Sequence, residues 1–244
     1  MQPAERVAIL LLTVPAFVAV LFMLFVALVM APLYIHEESV KYPGSYASLF
    51  LNEYAPCDRI VIEVHYQGNA TPSTYALEHL RSRLHYYTGR PVDLYTFGDI
   101  GPGAVPEVAD SNNLSSFGYD IIEQNARCHT GWLGGNATIY ILYVDLKGRD
   151  VPHNGSGVVA GMSYRADAFF VFDNYVYDEV TERTVLMHEA GHLLGLEHDD
   201  DPECAMVGTM VRNRSVLMGL TPTPDDYCQA HRRQLENLRN HLVV

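Results

Sequence analysis

Five residues in one short stretch carry the chemistry that can be read from this chain of 244 residues. Residues 187–199 read MHEAGHLLGLEHD. His188 and His192 are four apart, and on a helix that spacing puts both imidazoles on one face, one turn apart, close enough to share a metal ion. Glu189 lies between them in sequence and rotates to the side of the metal, where it can take a proton from water without being a ligand. Gly195 ends the helix, because a left-handed turn costs glycine little. The chain then reverses, and His198 returns as a third nitrogen ligand. Three imidazoles leave a fourth position open to water, which is the catalytic rather than the structural arrangement of zinc. Composition gives these five residues in this spacing a chance rate of roughly one in ten thousand, so ordinary surface histidines are set aside.

The pattern H-E-x-x-H-x-x-G-x-x-H resembles, without a gap, the signature of the metzincin zinc peptidases. The resemblance implies a zincin domain in which His188, His192 and His198 hold the metal, Glu189 is the catalytic base, and a methionine turn lies beneath the site. Met206 stands eight residues past His198. That spacing is similar to two branches. One is matrixin-like, with a proline four before the methionine, as Pro202 is here. The other is archaemetzincin-like, H-C-x4-C-x-M, matched by Cys204 and Met206 but with Asp199 in place of the first cysteine. The archaemetzincin pattern continues as M-x17-C-x2-C, and its four cysteines hold a second, structural zinc. Counted from Met206, those last positions are Pro224 and Tyr227, with Cys228 one residue beyond.

With only two thiols and a carboxylate near that cluster, a tetrahedral zinc site is poor, and a disulfide is the more natural use of two cysteines outside the cytoplasm. The expectation is therefore a Cys204–Cys228 bond, by elimination a Cys57–Cys128 bond, and one zinc per chain. Tyr227 is a candidate to assist at the metal. His129 and His153 with Asp145 and Asp150 are weighed as a second metal site and the run 199–201 as a calcium turn, but no ligand pattern backs either. His65, His79 and His85 read as ordinary surface or half-buried histidines.

These residues need a scaffold. Residues 59–67 alternate as a strand, and 71–89 carry Leu77, Leu80, Leu84 and Tyr87 at helical spacing. Residues 91–97, 137–146, 157–164 and 168–172 read as further strands, 99–116 as a long loop, 178–194 as the site helix, and 225–242 as a last helix. The order β-α-β-β-β-β-α-α gives an α/β (α+β) domain with a mixed twisted sheet, an active-site helix and a C-terminal helix. In metzincins the substrate extends along the edge strand just before the strand that leads to the active-site helix, which here is 157–164. The shape of the loop at 207–223, and with it the specificity pocket, is not derivable.

Before that domain, residues 7–33 hold no charge and are long enough to cross a bilayer. They read as one transmembrane signal anchor (1–33), followed by a juxtamembrane stalk (34–56) and the catalytic domain (57–244). A cleaved signal peptide ending near Ala31 would make the protein secreted instead. Arg6 before the span, and Glu37 and Glu38 after it, place the N-terminus in the cytoplasm and the domain outside. Four cysteines without a C-x-x-C pair agree with that side, as do five sequons at Asn69, Asn113, Asn136, Asn154 and Asn213. The net charge of −13 falls entirely on residues beyond 33, since Glu5 and Arg6 cancel, so a nucleic-acid partner is excluded. The partners implied are a peptide or protein substrate and the membrane. The reading is a membrane-anchored zinc metallopeptidase. The alternative is a zinc-binding but inactive ectodomain for adhesion or partner binding, against which the intact Glu189 speaks.

Overall fold

The computed structural model describes residues 15, 17–30, 38–131, 134–147, 153–154, 157–208 and 224–240. The sequon at Asn213, Asp150, the loop 209–223 and residues 7–14, 16 and 31–33 of the expected span lie outside them. The chain divides into two units, Met1–Lys41 and Tyr42–Val244. In the first, residues 17–25 are α-helical and Val26–Met30 continues as a π-helix. Phe17, Phe22 and Leu28 there are each more than half exposed. No helix among the described residues is long and apolar enough to cross a membrane.

The second unit is built on a five-stranded sheet. Its elements are α1 (Ala47–Leu51), β1 (Cys57–Gln67), α2 (Thr74–Thr88), β2 (Val92–Ile100), α3 (Ser111–Asn125), β3 (Gly135–Val144), β4 (His153–Asn154), β5 (Gly157–Val158), β6 (Gly161–Ser163), β7 (Ala168–Phe172), α4 (Glu179–Leu193) and α5 (Gln229–Asn240). The sheet order is β2-β1-β3-β7-β6, parallel except for β6, which runs antiparallel to β7 at one edge. Parallel strands covered on both faces must be apolar on both faces, and β3 and β7 are buried without a break from Ala137 to Val144 and from Ala168 to Phe172.

Alternation sorts the two faces. Tyr140, Leu142, Val144, Phe170 and Phe172 share a core with Leu114, Ile121 and Ile122 of α3. The opposite face of β3 carries Tyr143, whose hydroxyl donates to Glu182 of α4 over 2.7 Å. Glu182 also accepts from the Ser73 backbone N–H at the start of α2, 2.9 Å, so one buried carboxylate ties the site helix to the sheet and to α2.

Three expectations change. Helix α3 lies mostly in and beyond the stretch read as a loop. Its polar start (SNN) is a poor helix former, but the Asp110 side chain accepts from the Asn113 backbone N–H, and burial of Leu114, Ile121 and Ile122 stabilises the rest. The strand expected at 157–164 is two pieces. β5 pairs with β4 in a separate hairpin, and only β6 joins the sheet. Residues 42–56, read as a stalk, belong to the larger unit. Phe50 and Leu51 of α1 are fully buried, and the buried Arg90 guanidinium donates to the carbonyls of Leu49, Phe50 and Asn52.

Candidate metal centre and active site

Helix α4 starts at Asp178, whose carboxylate accepts from the Thr181 backbone N–H over 2.7 Å. It ends in a paired cap: Gly195 N–H donates to His192 O (3.1 Å) and Leu196 N–H to Gly191 O (2.9 Å). Gly195 has φ +80°, the left-handed turn that this cap requires. The reversal brings His198 back beside the two helical histidines, with ring centroids 4.8, 5.1 and 4.9 Å apart.

The hydrogen bonds decide the protonation of two rings. His188 Nδ1 donates to Ala205 O (2.8 Å) and His192 Nδ1 to Leu196 O (3.0 Å). A carbonyl can only accept, so both protons sit on Nδ1, and the two Nε2 lone pairs face each other 3.2 Å apart. Such lone pairs repel unless a cation lies between them. Two nitrogens about 2.0–2.1 Å from one tetrahedral zinc stand roughly 3.3 Å apart, so the donor set fits zinc. Burial pushes His188 down to about 4 and lowers His192 as well, which keeps both rings neutral, as ligands must be. His198 is exposed, and with Pro43, His192, Gly195, Leu196 and Glu197 it borders a cavity of about 530 Å³.

Glu189 is buried at 5% exposure. Burial raises its carboxyl to about 7, against the opposing effect of Ser163. The Ser163 hydroxyl lies 2.9 Å from Glu189 Oε2 and 3.1 Å from Glu189 O. Met206 is fully buried under the helix, so close that a Cβ on Gly191 would stand 2.3 Å from its Sδ. The methionine turn is held by Asp199 N–H to Met206 O (2.8 Å), and its Ala205 carbonyl is the one that orients His188. Tyr227, expected as a helper at the metal, is instead fully buried and donates to Met187 O over 2.8 Å.

A family model for metallo-peptidase family M12 matches residues 114–237, half of the chain. The chain belongs to that family. This M12 member is thus a zinc metallopeptidase of the metzincin type, acting on peptide or protein substrates. Among solved structures it is similar to an archaemetzincin from Methanopyrus kandleri at 16% identity, over 74% of this chain and 94% of that one, TM-score 0.49. It is also similar to a zinc-dependent peptidase from Methanocorpusculum labreanum at 19% identity, over 71% and 99%, TM-score 0.46. No curated protein matches.

The expected disulfides of this M12 chain are not formed, and all four cysteines are free. Cys57 Sγ faces the carbonyls of Gly131 and Asn136, each 3.6 Å away, and not Cys128, which lies beside Glu63. Cys204 and Cys228 do meet, but their sulfurs are 2.7 Å apart, wider than the 2.03–2.05 Å of a bond. Both sulfurs lie 3.3 Å from His231 Nδ1. Asp199 Oδ2 completes the group, 3.6 Å from Cys228 Sγ and 3.8 Å from His231 Nδ1. A disulfide has no use for an imidazole and a carboxylate aimed at its sulfurs.

Among the described residues two groups of ligand-type side chains converge, each with its atoms within 4.8 Å: His188, His192 and His198, and Asp199, Cys204, Cys228 and His231. The second was missed because the count past Met206 was held at 17 residues. Here 21 residues separate Met206 from Cys228, and C-x2-H follows in place of C-x2-C. The i, i+3 spacing of Cys228 and His231 at the start of a helix was the signal available. Ser163 carried no sequence signal, since nothing in a lone strand serine names its partner. Asn69 and Asn113 spend their side-chain amides on Asp145 and on Val108 and Asp110.

Proposed function

We propose that this peptidase holds its catalytic zinc with His188, His192 and His198, uses Glu189 as base, and works outside the cytoplasm, tethered by its N-terminal segment. The observation that carries the site is the pair of neutral imidazoles meeting Nε2 to Nε2 beside a buried carboxylate. When bound, zinc polarises the scissile carbonyl and makes water a nucleophile at neutral pH. Glu189 takes the proton of the attacking water and returns it to the leaving amine, a task suited to a carboxyl raised to about 7. The substrate backbone pairs with the free edge of β6, the terminal strand of the sheet. Met206 supports the helix from below and takes no part in proton transfer. Glu189→Gln should keep its zinc and lose casein cleavage; cleavage at the wild-type rate would remove Glu189 from the mechanism.

The uncharged run 7–33 and the exposed apolar side chains of Phe17, Phe22 and Leu28 support the tether. Outside the cytoplasm the described sequon at Asn136 becomes a glycan acceptor, while Asn69 and Asn113 would first have to release their amide hydrogen bonds. Extraction of membranes at alkaline pH, with N-terminal sequencing of the product, separates an anchored chain from a cleaved one. In place of one zinc per chain, we assign a second metal ion to Asp199, Cys204, Cys228 and His231. Two thiolates on one zinc stand about 3.8 Å apart, so a metal would spread the sulfurs by about 1 Å. Two zinc per chain by elemental analysis, falling to one in Cys204→Ser, is the expected result; one zinc in both proteins would refute it.

A further inference from the structure

The strand that closes the sheet also touches the base. Gly161 and Ser163 are two apart on β6 and so face the same side, toward α4, while Met162 between them packs into the core on the α3 side. Ser163 donates its hydroxyl to Glu189 Oε2 at 2.9 Å. Gly161 stands against the other carboxylate oxygen: a Cβ there would lie 2.7 Å from Oε1, 2.8 Å from Cγ and 3.0 Å from Cδ. No strained backbone accounts for this glycine, since Gly161 is not among the residues with positive φ. Its missing side chain is what leaves room for the Glu189 side chain.

We propose that β6 seats the catalytic carboxylate, with Ser163 as a positioning residue that fixes Oε2 and Gly161 as the vacancy that accepts Oε1. The inference rests on the reading of Glu189 as the base. A glutamate side chain turns about three bonds, and a base must be held in one of the resulting arrangements to meet its proton. Burial takes away the water that would otherwise solvate the carboxylate, and Ser163 supplies the hydrogen bond in its place. Because β6 is also the strand whose free edge receives the substrate backbone, a shift of β6 moves substrate and base together.

The test uses the full zinc-loaded chain on a fluorogenic peptide. Ser163→Ala should lower kcat about tenfold, with KM within about twofold and zinc content unchanged, because the backbone and the cavity remain. Ser163→Thr, which keeps the hydroxyl, should recover most of that loss. Gly161→Ala should also lower kcat by displacing the carboxylate. A cycle with Glu189→Gln separates positioning from a merely structural role: Ser163→Ala should change nothing further once the carboxylate is gone. Crystals of metal-free Ser163→Ala should show the Glu189 carboxylate turned away from its wild-type place. Wild-type kcat in Ser163→Ala, an unmoved carboxylate, or an equal loss in the Glu189→Gln background would each overturn the proposal. If Glu189→Gln itself cleaves at the wild-type rate, the reading of the base falls, and the proposal falls with it for that separate reason.

Discussion

The two ligand groups are joined by a single peptide bond, between His198 and Asp199, and differ in almost everything else. The first is three imidazoles, one of them exposed, at the border of a cavity of about 530 Å³. The second is a carboxylate, two sulfurs and an imidazole, with Cys204 fully buried and His231 at 8% exposure. An incomplete, reachable group leaves a place for a reactant; four ligand-type side chains, with Cys204 and His231 buried and Asp199 and Cys228 half-buried, would fill a tetrahedral metal's positions and leave none. Adjacent residues thus serve opposite ends. The bridge between Asp199 and Val207 closes the loop that carries the methionine, directly after the third histidine.

That contrast can be broken at several points. The largest effect belongs to the open group: Glu189→Gln should cost about 10³-fold in kcat with little change in melting temperature, read by peptide cleavage and calorimetry. For the closed group the order inverts. His231→Ala should destabilise by about 3 kcal/mol, lowering Tm by roughly 10 °C, while any protein still folded keeps a measurable kcat. Equal Tm values in the two variants would erase the distinction. Between the groups, Gly191→Ala forces Met206 away from the helix and should cost about 1–3 kcal/mol by overpacking, measured in urea.

The smallest effect is a pH slope of the metal-free protein. His188 is lowered from 6.5 to about 4, so the unfolded chain binds the extra proton between those values, and its contribution to stability is full above 6.5 and lost as pH falls toward 4. Glu189 is raised from 4.5 to about 7, and its contribution runs the other way, lost as pH rises through 7. The two nearly cancel in the wild type. Metal-free Glu189→Gln should therefore lose about 1 kcal/mol between roughly pH 7 and pH 5.5, where the wild type stays nearly flat. A flat profile in both would mean that His188 is not held neutral by burial.

The open group was legible because its spacing is local: the helical period fixes His188 against His192, and one glycine fixes the turn to His198. The closed group was not, because its members come from two segments joined by a loop whose length had to be assumed, and His231 was read as one more residue on a helix face. The two central strands β3 and β7 were legible as unbroken apolar runs, 137–146 and 168–172, the second matched residue for residue. Helix α3 was hidden by its polar first turn, which only the buried face of Leu114, Ile121 and Ile122 outweighs. The pairing of Ser163 with Glu189 spans 26 residues and depends on where an edge strand lands.

The buried Arg90 has a bearing on where this protein can be cut. Its guanidinium serves as the cap for the last carbonyls of α1, and Asn52 and Glu53 reach on to the carbonyls of Leu238 and Arg239 at the far end of the chain. Proteolysis between α1 and β1 would strand a charged side chain without its acceptors and uncover the end of α5. A soluble fragment that keeps its shape therefore begins at or before Tyr42, and a nick a dozen residues later inactivates the enzyme without touching one metal ligand.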